Sequence, residues 1–307
     1  MKASRILISI VFIILFYRPL LAIQLEFFQS HELTVRFDPP LRGIAEEMVD
    51  DYPRVKSNLE KVFGWELPFR PTVFLIQDKE HIRKLSGNPL VVALAMPEEN
   101  IIVIDCSRLH IRPHRLDLIL KHELVHLILH NYISRPHLPR WFDEGVAQWI
   151  SEGVAELLVG PQRSLFEEAI LTGKYISLNN LKHGFPRDNT GLILAYEESR
   201  SFVDFISNRF GPEKVFKILD LLRNGNDIHT AFTKSLDASV EEIEQQWIRQ
   251  QHSQTNWLTY LAGHIYEFLF LLGAFLTVVG FIRFLIKKHK YADTDDDEAD
   301  DENHDLL

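Results

Sequence analysis

Apolar and polar residues follow two different periods in the first third of the chain. Short alternating or β-branched apolar runs predict β-strands, and they lie at 33–37, 71–76, 91–96 and 100–105. Between 41 and 63, apolar residues recur every three or four positions, which predicts a helix with a bend or break at Pro53.

Beyond residue 105 the pattern becomes helical. The predicted helices are 116–130, 139–152, 164–171, 190–209, 212–222 and 240–251. No internal repeat or low-complexity linker interrupts the chain from Gln24 to Asn256. The sequence therefore predicts an α+β fold in one domain at 23–256, with a small mixed β-sheet followed by a helical part.

The N-terminal segment has the pattern of an export signal. Lys2 and Arg5 precede an apolar run from Ile6 to Tyr17, and the small residue Ala22 follows. This order predicts a secretory signal peptide at 1–22. An uncleaved signal anchor is the alternative.

A longer apolar stretch, 257–286, predicts a transmembrane helix. The basic cluster Lys287–Lys290 follows it directly, and such clusters mark the cytoplasmic side. We therefore expect a single-pass protein of the cell membrane, with 23–256 outside the cytoplasm, periplasmic or extracellular. The segment 287–307 becomes a cytoplasmic tail, basic and then acidic and disordered.

Charge and cysteine content narrow the function classes. The net charge is −10, but nine acidic residues fall between Asp293 and Asp305, so the remainder is nearly neutral. No basic face is left for nucleic acid. The single cysteine, Cys106, excludes an intramolecular disulfide and is best interpreted as a small buried hydrophobic residue.

The predicted helix 116–130 carries the candidate chemistry. His122 and His126 are four residues apart, so they share a helix face and can chelate one ion, while Glu123 can serve as a base beside them. The helix is apolar nearly all round, and burying these polar groups without partners costs several kcal/mol. A metal supplies the partners; a pair of satisfied core histidines is the alternative.

Two histidines leave the metal one protein ligand short. His130 lies about 12 Å along the helix axis from His122, too far to join both others. Position 132 is a tyrosine, so the extended three-histidine pattern is absent. Glu144 is the best candidate, ahead of Asp143 and the more distant Glu152, because two histidines and one glutamate form a catalytic zinc site.

These motifs together resemble a known family. His122-Glu123-x-x-His126 followed by Trp141-Phe-Asp-Glu144-Gly145-Val-Ala is similar to the gluzincins, the thermolysin-like zinc peptidases. The chain resembles bacterial peptidase MA-like domains more closely, because an Ala-Tyr-x-x-Ser-x-x-Phe-Val element follows at 195–203. The similarity covers roughly 33–251.

The resemblance implies roles for individual residues. His122, His126 and Glu144 would bind Zn²⁺, and Glu123 would be the general base. Tyr196 would face the site and donate a hydrogen bond to the tetrahedral intermediate, although it could equally be a helix core residue. No motif identifies the active-site histidine of the thermolysin type, for which His183 is the candidate.

The expected function is that of a membrane-anchored zinc metallopeptidase acting on a protein or peptide. An extended substrate could add to the strand at 91–96 or at 100–105. The alternative is a non-catalytic, membrane-tethered scaffold that keeps a vestigial zinc site. A peptidase cutting within the bilayer is disfavoured, because His122 and His126 lie far in sequence from both apolar segments.

Overall fold

The computed structural model describes residues 25–107, 116–153, 163–254 and 265–301 of the chain. They belong to two compact units, Met1–Gln251 and His252–Leu307. The predicted signal segment 1–22 and the first part of the predicted membrane helix, 257–264, lie outside the described residues.

A mixed five-stranded sheet forms the first part of the larger unit. Its strands are β1 (Glu26–Gln29), β2 (Thr34–Phe37), β3 (Thr72–Ile76), β4 (Ala93–Met96) and β5 (Ile101–Asp105). The order is β1-β2-β3-β5-β4, in which the central three strands are parallel and both edge strands are antiparallel to their neighbours. All four predicted strands are confirmed. The sequence analysis missed β1.

Both faces of the sheet are covered. Val73 and Leu75 of β3 point into the main core, while Phe74 and Ile76 join a second cluster on the other face. Burial on both sides explains why β3 is apolar throughout instead of alternating with polar residues.

Helices follow the sheet, as the pattern predicted. Within the described residues they are α1 (Arg42–Phe63), α2 (Lys79–Ser86), α3 (Leu116–Tyr132), α4 (Arg140–Ile150), α5 (Arg163–Thr172), α6 (Asn189–Phe210), α7 (Pro212–Arg223), α8 (Ile228–Leu236), α9 (Val240–Gln254) and α10 (Ile265–Asp301). The α+β fold class is therefore confirmed. The short helices α2 and α8 were missed; each begins after an aspartate cap, Asp78 or Asp227, whose side chain accepts backbone N–H bonds.

Of the predicted bend or break at Pro53, the break is wrong, because α1 runs through this residue without interruption, and the bend stays a prediction. Proline removes one backbone hydrogen bond, but its ring is exposed here and meets no neighbouring element. Tyr52 and Val55 on either side are buried in the core, and their packing stabilises the helix across Pro53.

The smaller unit consists mainly of α10. Its stretch Ile265–Ile286 is 22 residues long, exposes its large apolar side chains, and by length and composition could cross a membrane. The helix continues to Asp301, past the predicted end at 286 and into the acidic segment predicted to be disordered. Extending an existing helix costs much less free energy than starting a new one, which accounts for the difference.

Candidate metal centre

Helix α3 lies inside the larger unit and carries both histidines. It contacts α1, α4 and β4, and it is buried on nearly all sides. His122, Glu123 and His126 are themselves buried. This burial explains why α3 carries apolar residues on all of its faces.

Helix α4 brings Glu144 to the two histidines. The Nε2 atoms of His122 and His126 are 3.2 Å apart. Glu144 Oε2 lies 3.7 Å from the first and 3.5 Å from the second. These three buried atoms form a nearly equilateral triangle.

The triangle fits a zinc ion. Tetrahedral ligands at about 2.0–2.1 Å from zinc lie about 3.3 Å from one another, close to the observed spacings. Among the described residues, His122, His126 and Glu144 are the histidine, cysteine or acidic side chains whose ligand atoms lie close enough together to share one metal ion. The donor set is therefore that of a Zn²⁺ site, with two imidazoles and one carboxylate.

Asp143 lies beside this triangle and contacts two histidines. Its Oδ1 is 2.7 Å from His126 Nδ1, and its Oδ2 is 2.8 Å from His130 Nε2. A carboxylate on Nδ1 fixes that proton there and leaves Nε2 free to bind a metal. Asp143, which the sequence offered as a competing ligand, is placed to orient His126, and His130 is held by Asp143 outside the triangle.

The other two members of the triangle also have supporting contacts. The Ser151 hydroxyl lies 3.3 Å from His122 Nδ1 and donates to the Ala147 carbonyl at 2.8 Å, so it can accept the Nδ1 proton. Arg140 Nη2 is 2.5 Å from Glu144 Oε1, which directs Oε2 toward the histidines. Glu152, the third candidate ligand, lies just past the end of α4 and outside this group.

The site is strongly polarised before any metal binds. Burial lowers the pKa of His126, but the carboxylates of Asp143 and Glu144 outweigh it and raise that pKa well above the ordinary value. Burial raises the pKa of Glu144, but Arg140 and His126 lower it below the ordinary value. A histidine that binds a metal must be neutral, so the metal affinity of such a site falls as the pH falls.

A cleft of about 320 Å³ opens beside the triangle. Its lining comes from β4 and the residue after it, from α3 and α4, from the segment between these two helices, and from the segment before α6. The lining residues are Leu94, Ala95, Pro97, His126, His130, Arg135, Leu138, Arg140, Asp143, Glu144, Lys182 and His183. The structure thus brings the candidate His183 to the cleft. Strand β4 is the sheet edge here, whereas β5 is paired on both sides, so the alternative of strand addition at 100–105 is wrong.

Tyr196 occupies a different environment. Its side chain is buried in the second apolar cluster, where its ring packs edge-to-face on Phe185 with centroids 5.1 Å apart. Tyr196 is not among the described residues that line the cleft. Its role toward the intermediate stays a prediction.

Gly145 allows α4 to approach α6 closely. A Cβ at this position would lie 2.4 Å from the Ser199 carbonyl oxygen and 2.7 Å from Val203 Cγ2. Only glycine fits such a contact without displacing a backbone. The residue directly after Glu144 therefore fixes the depth at which α4, and its carboxylates, sit in the domain.

Sequence reasoning missed several residues around the site. No sequence motif indicated that Asp143, Ser151 and Arg140 orient the side chains of the triangle. A signal existed only for Arg140, which precedes Glu144 by four residues and so shares its helix face. Lys182 gave no signal at all, because only tertiary folding brings its segment to the cleft.

Comparison with known proteins agrees with this arrangement. A family model for the Peptidase MA superfamily matches residues 89–253, a range that includes both histidines, Glu123 and Glu144. No curated protein matches the chain.

Two solved structures match part of the chain at low identity. Native yeast LTA4 hydrolase is 14% identical with a TM-score of 0.46, over 73% of this chain and 38% of that one. An M1 zinc metallopeptidase from Deinococcus radiodurans is 14% identical with a TM-score of 0.43, over 73% of this chain and 50% of that one. The chain thus spans half or less of the length of these structures.

Proposed function

Because the chain belongs to the Peptidase MA superfamily, we propose that it is a zinc-dependent peptidase whose ion is held by His122, His126 and Glu144. The observation that carries this proposal is the triangle of three buried ligand atoms, 3.2–3.7 Å apart. Its spacing and chemistry suit one zinc ion with a coordination position left for reactants.

Glu123 is the proposed general base. It follows His122 directly on α3 and is fully buried. Zinc, when bound, polarises a peptide carbonyl and makes water more acidic. The Glu123 carboxylate then accepts a proton from the attacking water and delivers it to the amide nitrogen, which leaves as an amine.

The edge of β4 is the proposed binding surface for the substrate backbone. The N–H of Asp105 donates to the Val92 carbonyl, and Leu94 pairs with Val103. Since hydrogen-bonded and non-bonded pairs alternate along antiparallel strands, the N–H and C=O of Ala95 point away from β5. Ala95 lines the cleft, so it can exchange both bonds with an extended peptide.

The negative charge that develops on the oxygen of the scissile carbonyl needs a hydrogen-bond donor. His183 is the proposed donor, because it lines the cleft and its imidazole can supply an N–H. The sequence motif also assigns this task to Tyr196. Tyr196 is buried beside Phe185, so it can also serve to hold in place the segment that carries His183. The contact supports this structural role at least as well as a role toward the reaction intermediate.

The C-terminal helix is the proposed membrane anchor. Ile265–Ile286 has the length and composition to cross a membrane once. Three of the next four residues in the sequence are lysines. By the positive-inside rule, the peptidase domain lies outside the cytoplasm. A reporter fused after Leu307 should be active only in the cytoplasm and one fused after Gln251 only outside it. The opposite pattern would contradict this topology.

The proposed activity is tested on the full-length protein in detergent. Chelation should abolish cleavage of a mixed peptide library, and one equivalent of zinc per chain should restore it, as mass spectrometry of the products would show. A protein with one bound zinc that cuts no peptide would contradict the proposal and would favour a scaffold with a vestigial metal site.

A further inference from the structure

Among the charged residues that line the cleft, the basic side chains are much more exposed than the acidic ones. The side chains of Arg135 and Arg140 are 65% and 39% exposed, and Lys182 is half-buried. The two acidic side chains, Asp143 and Glu144, are 3% and 0% exposed. Among the residues that line the cleft, the basic side chains are therefore closer to the surface than the carboxylates.

The buried carboxylates are also occupied. Asp143 contacts His126 and His130, and Glu144 lies against Arg140 and the histidine pair. Neither is available to neutralise the outer part of the cleft.

Lys182 has the least compensated charge of the three basic residues. Arg140 is paired with Glu144, and Arg135 has Glu98 at 3.5 Å in an exposed pair that contributes little. In the part of the chain that the structure describes, no carboxylate lies within ion-pairing distance of the Lys182 ammonium.

Lys182 is also fixed close to the metal centre. Its carbonyl accepts a hydrogen bond of 3.0 Å from the N–H of Arg140, the first residue of the helix that carries Glu144. The Arg140 guanidinium in turn stacks on Phe185, with 5.8 Å to the ring centroid. The backbone of Lys182 is thus anchored at a residue that lines the cleft.

We infer that the cleft binds a carboxylate of the substrate between Lys182 and Arg135, and that the enzyme prefers peptides with an acidic group near the scissile bond. This inference rests on the proposed peptidase function. The carboxylate can belong to an aspartate or glutamate side chain or to the peptide C-terminus. An ammonium and a guanidinium suit both equally.

The test compares matched peptides cut by the full-length, zinc-loaded protein in detergent. Acetylated and amidated peptides carry Asp or Asn, and Glu or Gln, at each of the three positions on either side of the cleaved bond. At one position at least, we expect the acidic peptide to have a kcat/KM about 2- to 5-fold higher than its amide partner, the range for exposed charge pairs. The same peptides with a free C-terminus, compared with the amidated ones, show whether the C-terminal carboxylate is the group that the cleft binds.

Two variants connect the preference to the residues. Lys182→Gln combined with Arg135→Gln should bring the acidic-to-amide ratio close to 1, while Lys217→Gln, an exposed lysine on α7, should leave it unchanged. In the parent protein, raising the salt from 0.05 to 0.5 M should lower the ratio toward 1, since exposed charges are screened.

Three results would overturn the inference: no preference in the parent protein for either an acidic side chain or a free C-terminal carboxylate, a preference that the double variant preserves, or a preference that salt does not change. Each requires that the parent protein cleaves peptides, so each leaves the proposed function intact. Absence of any cleavage refutes the proposed function instead.

Discussion

His126 Nδ1 lies 2.7 Å from Asp143 Oδ1, and the same carboxylate reaches His130 through its other oxygen. Asp143 precedes Glu144, so adjacent acidic residues on one helix have different tasks. The first orients an imidazole and the second points into the triangle of ligand atoms. Chain order alone could not separate them.

This division of tasks predicts graded losses of zinc. Glu144→Ala removes a proposed ligand and should weaken zinc binding the most. Asp143→Ala leaves three ligands but frees the His126 ring, and loss of such a partner typically costs about 10- to 100-fold in affinity. Competition with a chromophoric chelator measures both.

Asp50→Ala, on the exposed face of α1, is the matched control and should bind zinc like the parent. Full zinc retention in Glu144→Ala together with loss in Asp143→Ala would show that Asp143 is the ligand.

The contact between Gly145 and Ser199 predicts a packing defect. In Gly145→Ala, the new Cβ would overlap the Ser199 carbonyl, so α4 or α6 must shift, at a cost of about 1–3 kcal/mol. The shift displaces Asp143 and Glu144, so zinc affinity should fall together with the thermal midpoint.

Gly43→Ala is the comparison, because a Cβ there meets nothing within 4 Å and the residue lies in a helix. It should be neutral or stabilising by up to about 1 kcal/mol. Equal behaviour of the two variants would contradict the close approach of α4 and α6.

Glu198 predicts a pH dependence of stability. It is buried on α6, its Oε1 accepts the N–H of Ile176 at 2.9 Å, and burial raises its pKa from 4.5 to about 8. The folded state therefore retains a proton that the unfolded state loses above pH 4.5. Stability from this group is fully present below that pH and declines as pH rises toward 8.

Glu198→Gln imitates the protonated acid, so between pH 5 and 8 its unfolding free energy should fall less than that of the parent, by up to a few kcal/mol. Glu47→Gln, exposed on α1, should keep the parent slope. Thermal unfolding followed by circular dichroism across this pH range measures the difference. A parallel decline in the Glu198 variant and the parent would contradict the assignment.

Much of the fold was predictable because its strongest signals are local. The period of three to four residues located the long helices, and the β-branched apolar run of β3 predicted a strand. The spacing of His122 and His126 required only helix geometry. Glu144 followed from the donor set that a catalytic zinc site needs.

The missed features depend on contacts distant in sequence. Strand β1 is short and lies at the edge of the sheet, and its sequence Glu-Phe-Phe-Gln does not alternate between apolar and polar residues, although its burial does. The continuity of α1 at Pro53 follows from core contacts of the flanking residues. Lys182 reaches the cleft because its backbone binds Arg140, a pairing across 42 positions that no local pattern contains.

We propose that Glu123 moves the proton at a zinc site built from His122, His126 and Glu144. Glu123→Gln retains side-chain size and all three proposed ligands, so the variant should bind one zinc per chain. Peptide cleavage should fall by about 10²–10⁴-fold, the usual effect of losing a general base. Measuring zinc content and kcat/KM on the same purified sample tests the claim most directly. Full zinc with cleavage lost is the predicted result, and full zinc with parental cleavage would contradict it.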